Sequence, residues 1–227
     1  MMFGDRFGLE VGMIDRVVND GVVLASVEYR LAPESPDPGP VEDVYAGLVG
    51  FLDRAADLGF DPDRVLLAGG SAGGGLAAAT TLLLRDRATH HIAAELLVCP
   101  MLDDRNDTVS SKQFSGTGLW DRESNDAGWT ALLGARRGGP DVSFYPSPSR
   151  AEDLSGLPPT FLDVGSAEVL RDEVVNYATA IWASGGQAEL HVWPGGFHGF
   201  HAAGPNTAIG RGANRVRDEW ITRILQI

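Results

Sequence analysis

The sequence predicts an α/β fold, with a mostly parallel sheet covered by helices on both faces. Three observations lead there. Short apolar runs rich in β-formers alternate with stretches of helical spacing, which is the order that parallel strands and crossover helices produce. One run, Val65-Leu66-Leu67-Ala68, enters Gly69-Gly70-Ser71-Ala72-Gly73 and leaves as a small-residue helical run from Ala72 to Leu84. The chain has 227 residues, 44% hydrophobic and 22% charged, which suits a single domain (1–227) with a substantial core.

Taken in order, residues 11–20 form the end of a helix closed by Asn19-Asp20-Gly21. Val22 to Tyr29 has the composition of a buried strand. Pro33, Pro36, Pro38 and Pro40 then impose a surface loop. Val41 to Leu58 is amphipathic, with Val44, Tyr45, Leu48, Phe51, Leu52 and Ala55 recurring at helical steps, and Gly59 ends it. Asp61-Pro62-Asp63 turns the chain into the strand before Ser71. Ala93 to Pro100 is the next apolar strand.

Residues 101–157 break the alternation with glycines, prolines and polar pairs. They form an irregular excursion and a candidate lid, with one short helix near Asp126–Leu133. The rhythm resumes with a strand at Thr160–Gly165, a helix at Arg171–Ser184 capped by Gly185-Gly186, and an alternating strand at Gln187–Val192. A last helix occupies the tail from about Asn206.

Composition excludes several classes of function. No apolar run is long enough to span a bilayer, and the N-terminal Met-Met-Phe-Gly-Asp-Arg lacks a secretory pattern. One cysteine forbids an internal disulfide, so a reducing, cytoplasmic location is expected. That residue, Cys99, follows Leu96-Leu97-Val98 and has the setting of an inert buried thiol. A net charge of −13 argues against nucleic acid and anionic membranes as partners. There is no metal-type spacing of Cys and His, no P-loop and no well-placed dinucleotide fingerprint, so no metal or cofactor is expected.

The chemistry centres on Ser71. A sharp turn between strand and helix lifts its Oγ clear of the sheet end. Glycines two positions to either side leave room for that turn, and the helix N-terminus favours developing negative charge. The N–H of Ala72 is the oxyanion donor that this arrangement supplies. Such a serine needs a base and an acid on loops beyond the carboxyl ends of strands. His198, between glycines after the last strand, is the candidate base, and His201 is its rival. Glu168, in the loop after Gly165, is the candidate acid, and it competes with Asp163, Asp172 and Glu173. Asp163 lies inside a strand, while Asp172 and Glu173 open a helix whose dipole they complement. The order Ser71, Glu168, His198 is that of an α/β-hydrolase.

Five ordered motifs carry a specific resemblance. They are Tyr29-Arg30-Leu31-Ala32-Pro33-Glu34, Val41-Glu42-Asp43, Gly69-Gly70-Ser71-Ala72-Gly73, Glu168 with Arg171-Asp172-Glu173, and His198-Gly199-Phe200. Over nearly its whole length the chain resembles bacterial esterases of the hormone-sensitive-lipase-like group. The resemblance implies Ser71 as nucleophile, Glu168 as acid in a position where many relatives carry Asp, and His198 as base. It makes Tyr29 to Glu34 and Asp43 scaffold. It also implies a serine carboxylesterase acting on small, short-acyl esters without a cofactor. An amidase or lactone hydrolase with the same triad is a weaker alternative.

The N-terminus departs from that pattern. Relatives carry a His-Gly-Gly-Gly segment that lends N–H groups to the oxyanion hole. This chain has none, and Met2-Phe3-Gly4-Asp5-Arg6 resembles the stretch immediately C-terminal to that segment. The expectation is a fold without the family's first three strands and N-terminal cap, including a strand that would separate 22–29 from 64–70. An edge left open there favours homodimerisation. The rival reading from another class is a catalytically impaired or inactive hydrolase fragment that only binds a ligand or partner.

Overall fold

Four parallel strands in the order β1-β2-β3-β4 form the sheet of the computed structural model, which describes residues 2–8 and 13–227. They are β1 (Leu66–Gly70), β2 (Ala94–Val98), β3 (Thr160–Gly165) and β4 (Ala188–Trp193). The register aligns Gly70 with Val98, Val98 with Asp163, and Gly165 with Trp193, so the carboxyl ends of all four strands open on one side. β2 and β3 are buried along their whole length, as continuous apolar runs require in a sheet covered on both faces.

The helices are α1 (Met13–Asp20), α2 (Gly39–Leu52), α3 (Ala55–Leu58), α4 (Ala72–Arg87), α5 (Val109–Gln113), α6 (Arg122–Leu133), α7 (Arg171–Ala183), α8 (Phe200–Ala203) and α9 (Ala208–Leu225). Strand alternation assigns them to the two faces. Phe161 and Asp163 point toward α9, where Phe161 meets Trp220 and Asp163 meets Arg217. The opposite set, Thr160, Leu162 and Val164, shares its core with Ala78 and Leu82 of α4 and Val174, Ala178 and Ile181 of α7. α2 lies on α4 through Val41, Val44, Leu76, Ala79 and Leu83.

Two expectations are corrected. Val22 to Tyr29 is not a buried strand: it pairs with no strand among the described residues, and Val23 and Leu24 are exposed. Composition can mark a segment as able to form a strand, but the ladder needs a neighbour, and among the described residues β1 pairs only with β2. Val27 and Tyr29 pack instead against the α2–α4 cluster. The long helix expected at 41–58 is two, because the chain turns at Asp53-Arg54 between α2 and α3. The helix end expected at 11–20 is present as α1, with residues 11 and 12 outside the described set.

The excursion at 101–157 is more ordered than its composition implies. α6 sends Trp129, Leu132 and Leu133 into the main core. Asp104, wholly buried, is held by Arg150 at 2.5 Å and accepts the N–H of Gly138. Asn106 and Asn125 bond each other at 2.9 Å under the same segment. Paired polar groups of this kind let an irregular backbone run through a protein interior.

Candidate active site

Ser71 sits at the turn between β1 and α4 with φ 53° and ψ −120°, a conformation that L-residues rarely adopt. Holding it costs on the order of 1–3 kcal/mol, so its surroundings must over-determine it. They do. The Ser71 N–H donates to the Val98 carbonyl at 2.8 Å, and the Ser71 carbonyl accepts from Met101 at 2.9 Å and Gly75 at 3.1 Å. Gly69 is required sterically, since a Cβ there would lie 2.2 Å from the Gly73 carbonyl oxygen. A Cβ on Gly73 would meet nothing within 4 Å. The two glycines are equivalent in the sequence motif, but in the fold only Gly69 makes room for the turn.

Ser71 Oγ lies 2.9 Å from His198 Nε2, and His198 Nδ1 lies 2.7 Å from Glu168 Oε2. An ionised carboxylate only accepts, so Nδ1 carries the proton and Nε2 accepts from the serine hydroxyl. The second Glu168 oxygen accepts the Gly165 N–H at 2.9 Å, which fixes the carboxylate plane. The acid loop and the base loop are stitched together: Ser166 N–H donates to Trp193, Ala167 N–H to Gly196, and Gly195 N–H to Ser166 Oγ. The two loops touch so closely that a Cβ on Gly165 would lie 2.0 Å from the Gly196 carbonyl oxygen.

Burial works against an imidazolium at His198. Cys99 and Glu168 beside the ring favour it more strongly and raise His198 above the usual histidine range, so the neutral imidazole that accepts from Ser71 gains population as pH rises. The glutamate that bonds the base therefore also favours the cation that forms on proton transfer. Ala72 opens α4 immediately after Ser71, so its N–H is one of the helix's first donors.

The structure places the rivals elsewhere. Asp163 is bridged by Arg217 through Nε at 2.9 Å and a terminal nitrogen at 3.0 Å, and it accepts from Trp193 Nε1. His201 is buried and lies near Asp163. Glu173 is buried, which raises its carboxyl well above the usual range, and it accepts the N–H groups of Leu102 and Asp103. Asp172 accepts the N–H of Ser110 at 2.7 Å. Both fasten the start of the 101–157 excursion, a role beyond the helix-dipole one expected for them. Asp43 grips Arg30 through its guanidinium and backbone N–H, which holds the loop at 29–34 onto α2.

Three residues were not legible in the sequence as neighbours of the site. The Trp120 ring stands 6.3 Å from His198, and Phe3 stands edge-on to Trp120 at 6.2 Å. Cys99, just past the end of β2 at φ 38°, brings its sulfur to the triad: one ligand atom each from Cys99, Glu168 and His198 lies within 4.8 Å of the others. No local spacing announces that grouping, because the three come from different loops.

A parallel sheet with a strained serine at a strand–helix turn, and a His and a carboxylate on later strand-end loops, defines a hydrolase-type α/β architecture. The α/β-hydrolase fold pattern matches residues 13–202, and the chain belongs to that family, in the hormone-sensitive-lipase-like group. It is similar to carboxylesterase NlhH of Mycobacterium tuberculosis, 35% identical over 184 residues covering 78% of this chain and 56% of that protein. It is likewise similar to carboxylic ester hydrolase LipN of the same organism, 36% identical over 184 residues, covering 79% of this chain and 49% of LipN. Among solved structures, a bacterial heroin esterase superposes with a TM-score of 0.93 at 41% identity, covering 99% of this chain and 71% of that one. Esterase LipW from Mycobacterium marinum superposes at 0.82 with 34% identity, covering 88% and 62%. The chain spans about half the length of the curated relatives it matches. No helix among the described residues is long and apolar enough to cross a membrane.

Proposed function

We propose that the chain is a serine carboxylesterase that hydrolyses small, short-acyl esters through an acyl-enzyme. The observation that carries this reading is the continuous relay from Ser71 Oγ through His198 to Glu168, at 2.9 and 2.7 Å. Ser71 attacks the ester carbonyl while His198 Nε2 takes its proton. Glu168 holds the ring and stabilises the imidazolium. The imidazolium protonates the departing alcohol, and water, activated by the same nitrogen, then releases the acid. The Ala72 N–H stabilises the tetrahedral oxyanion, and Trp120 with Phe3 walls the approach to His198. The similarity to proteins named carboxylesterases and esterases supports the ester as substrate class.

One oxyanion donor is worth roughly 10²–10³ in rate, so the Ala72 N–H carries a large share of the transition-state stabilisation. The test is hydrolysis of a short-chain p-nitrophenyl ester by the purified protein beside Ser71→Ala. Turnover that disappears in the variant is the expected result. No turnover from a protein that circular dichroism shows to be folded overturns the esterase reading in favour of a ligand-binding hydrolase fold.

A further inference from the structure

We propose that Cys99, Glu168 and His198 form an inhibitory site for a thiophilic divalent cation such as Zn²⁺ or Cd²⁺, which blocks the triad while bound. The inference rests on the esterase reading for its regulatory meaning, though the site itself does not need it. The donor set is one thiol, one imidazole and one carboxylate, with an atom of each within 4.8 Å of the other two. Zinc bonds such donors at about 2.0–2.3 Å, so tetrahedral donors stand roughly 3.3–3.8 Å apart. Side-chain adjustment of about an ångström therefore closes the site. Sulfur and nitrogen donors select Zn²⁺ or Cd²⁺ over Mg²⁺ and Ca²⁺.

The thiol is aimed by its backbone. Cys99 takes a left-handed φ, and its N–H is fixed to the Asp163 carbonyl at 2.7 Å, directly between the strands that carry Ser71 and Glu168. Coordination forms the metal–sulfur bond as the thiol proton leaves to solvent, with the cation's water ligands displaced; where the cation takes Nδ1, the proton there moves to Nε2. Each imidazole nitrogen already has a duty, Nε2 toward Ser71 and Nδ1 toward Glu168. A cation on either one therefore removes the base or its anchor.

The experiment titrates the whole protein with Cd²⁺ and follows the thiolate-to-cadmium charge-transfer absorption. The chain has a single cysteine, so this signal reports one place only. Wild type is expected to saturate at one equivalent. Cys99→Ala and Cys99→Ser should lose the band, and Glu168→Gln should bind roughly tenfold or more weakly. In parallel, Zn²⁺ should inhibit ester hydrolysis reversibly to EDTA, with each variant scored against its own metal-free rate. Mg²⁺ should have no effect. The inhibition midpoint should rise roughly tenfold or more in both Cys99 variants. No band in folded wild type, or an unchanged midpoint in a folded Cys99 variant, overturns the site. A band from a protein without any turnover upholds the site and overturns only the esterase reading.

Discussion

Glu168 divides its two carboxylate oxygens between His198 Nδ1 at 2.7 Å and the Gly165 N–H at 2.9 Å. The acid is thus fixed by its own loop before it fixes the base. Glu168→Gln keeps the shape but can present an N–H to Nδ1, which favours the wrong imidazole tautomer. We expect kcat on a p-nitrophenyl ester to fall roughly 10³–10⁴-fold with KM little changed. Glu168→Asp, one methylene shorter, should fall between that variant and wild type. A Gln variant with wild-type kcat would remove Glu168 from the triad.

Asp163 and Arg217 account for the other carboxylate near the sheet end. Their pair is buried from both sides, with side chains only 1% and 8% exposed. Breaking such a pair strands a charge and costs about 3–5 kcal/mol. Arg217→Ala should therefore lower the denaturation midpoint sharply, while kcat per folded molecule stays near wild type. His201→Ala should likewise retain turnover, because the Ser71 hydroxyl pairs with His198 and His201 lies near Asp163. A dead, folded His201 variant would move the base from His198 to His201.

How much of this was legible in the sequence depends on how local each signal is. Ser71, Glu168 and His198 each lie in a loop directly after a strand, with glycines marking the turns, so strand order alone gathers them. Cys99 was legible as a buried thiol, and it is 5% exposed. Its nearness to His198 comes from the β2–β3 register and a left-handed turn, neither of which has a compositional mark. Trp120 reaches His198 from an excursion without periodicity. Val22 to Tyr29 misled for the opposite reason: its residues suit a strand, but pairing depends on a neighbour elsewhere in the chain.

The two glycines around Ser71 separate cleanly. Gly69→Ala would drive a Cβ into the Gly73 backbone at 2.2 Å. Backbone cannot swing aside as a side-chain tip can, so a loss of about 1–3 kcal/mol or more is expected. Gly73→Ala meets open space, and within α4 it exchanges the poorest non-proline helix former for the best, so stability should hold or rise slightly. Urea denaturation of the two variants side by side checks this. Equal losses would show that the close approach at Gly69 does not define the turn.

The pH dependence of stability should carry the mark of Glu95. This residue sits in β2, fully buried, with one oxygen accepting from the Thr160 hydroxyl at 2.9 Å and the other without a hydrogen-bond partner. Burial pushes its carboxyl up to about 7, against the hydrogen bond from Thr160 that pulls it down. The folded state therefore binds a proton that the unfolded chain, titrating near 4.5, gives up. Its contribution is fully present below pH 4.5 and is lost as pH rises through about 7. The difference amounts to about 3 kcal/mol. Glu95→Gln keeps a neutral amide where the folded protein prefers a neutral acid. It should match wild type near pH 4 and exceed it by about 3 kcal/mol near pH 8, measured by denaturant unfolding across that range. Parallel stability curves for the two proteins would show that Glu95 is charged in the fold and has partners other than Thr160.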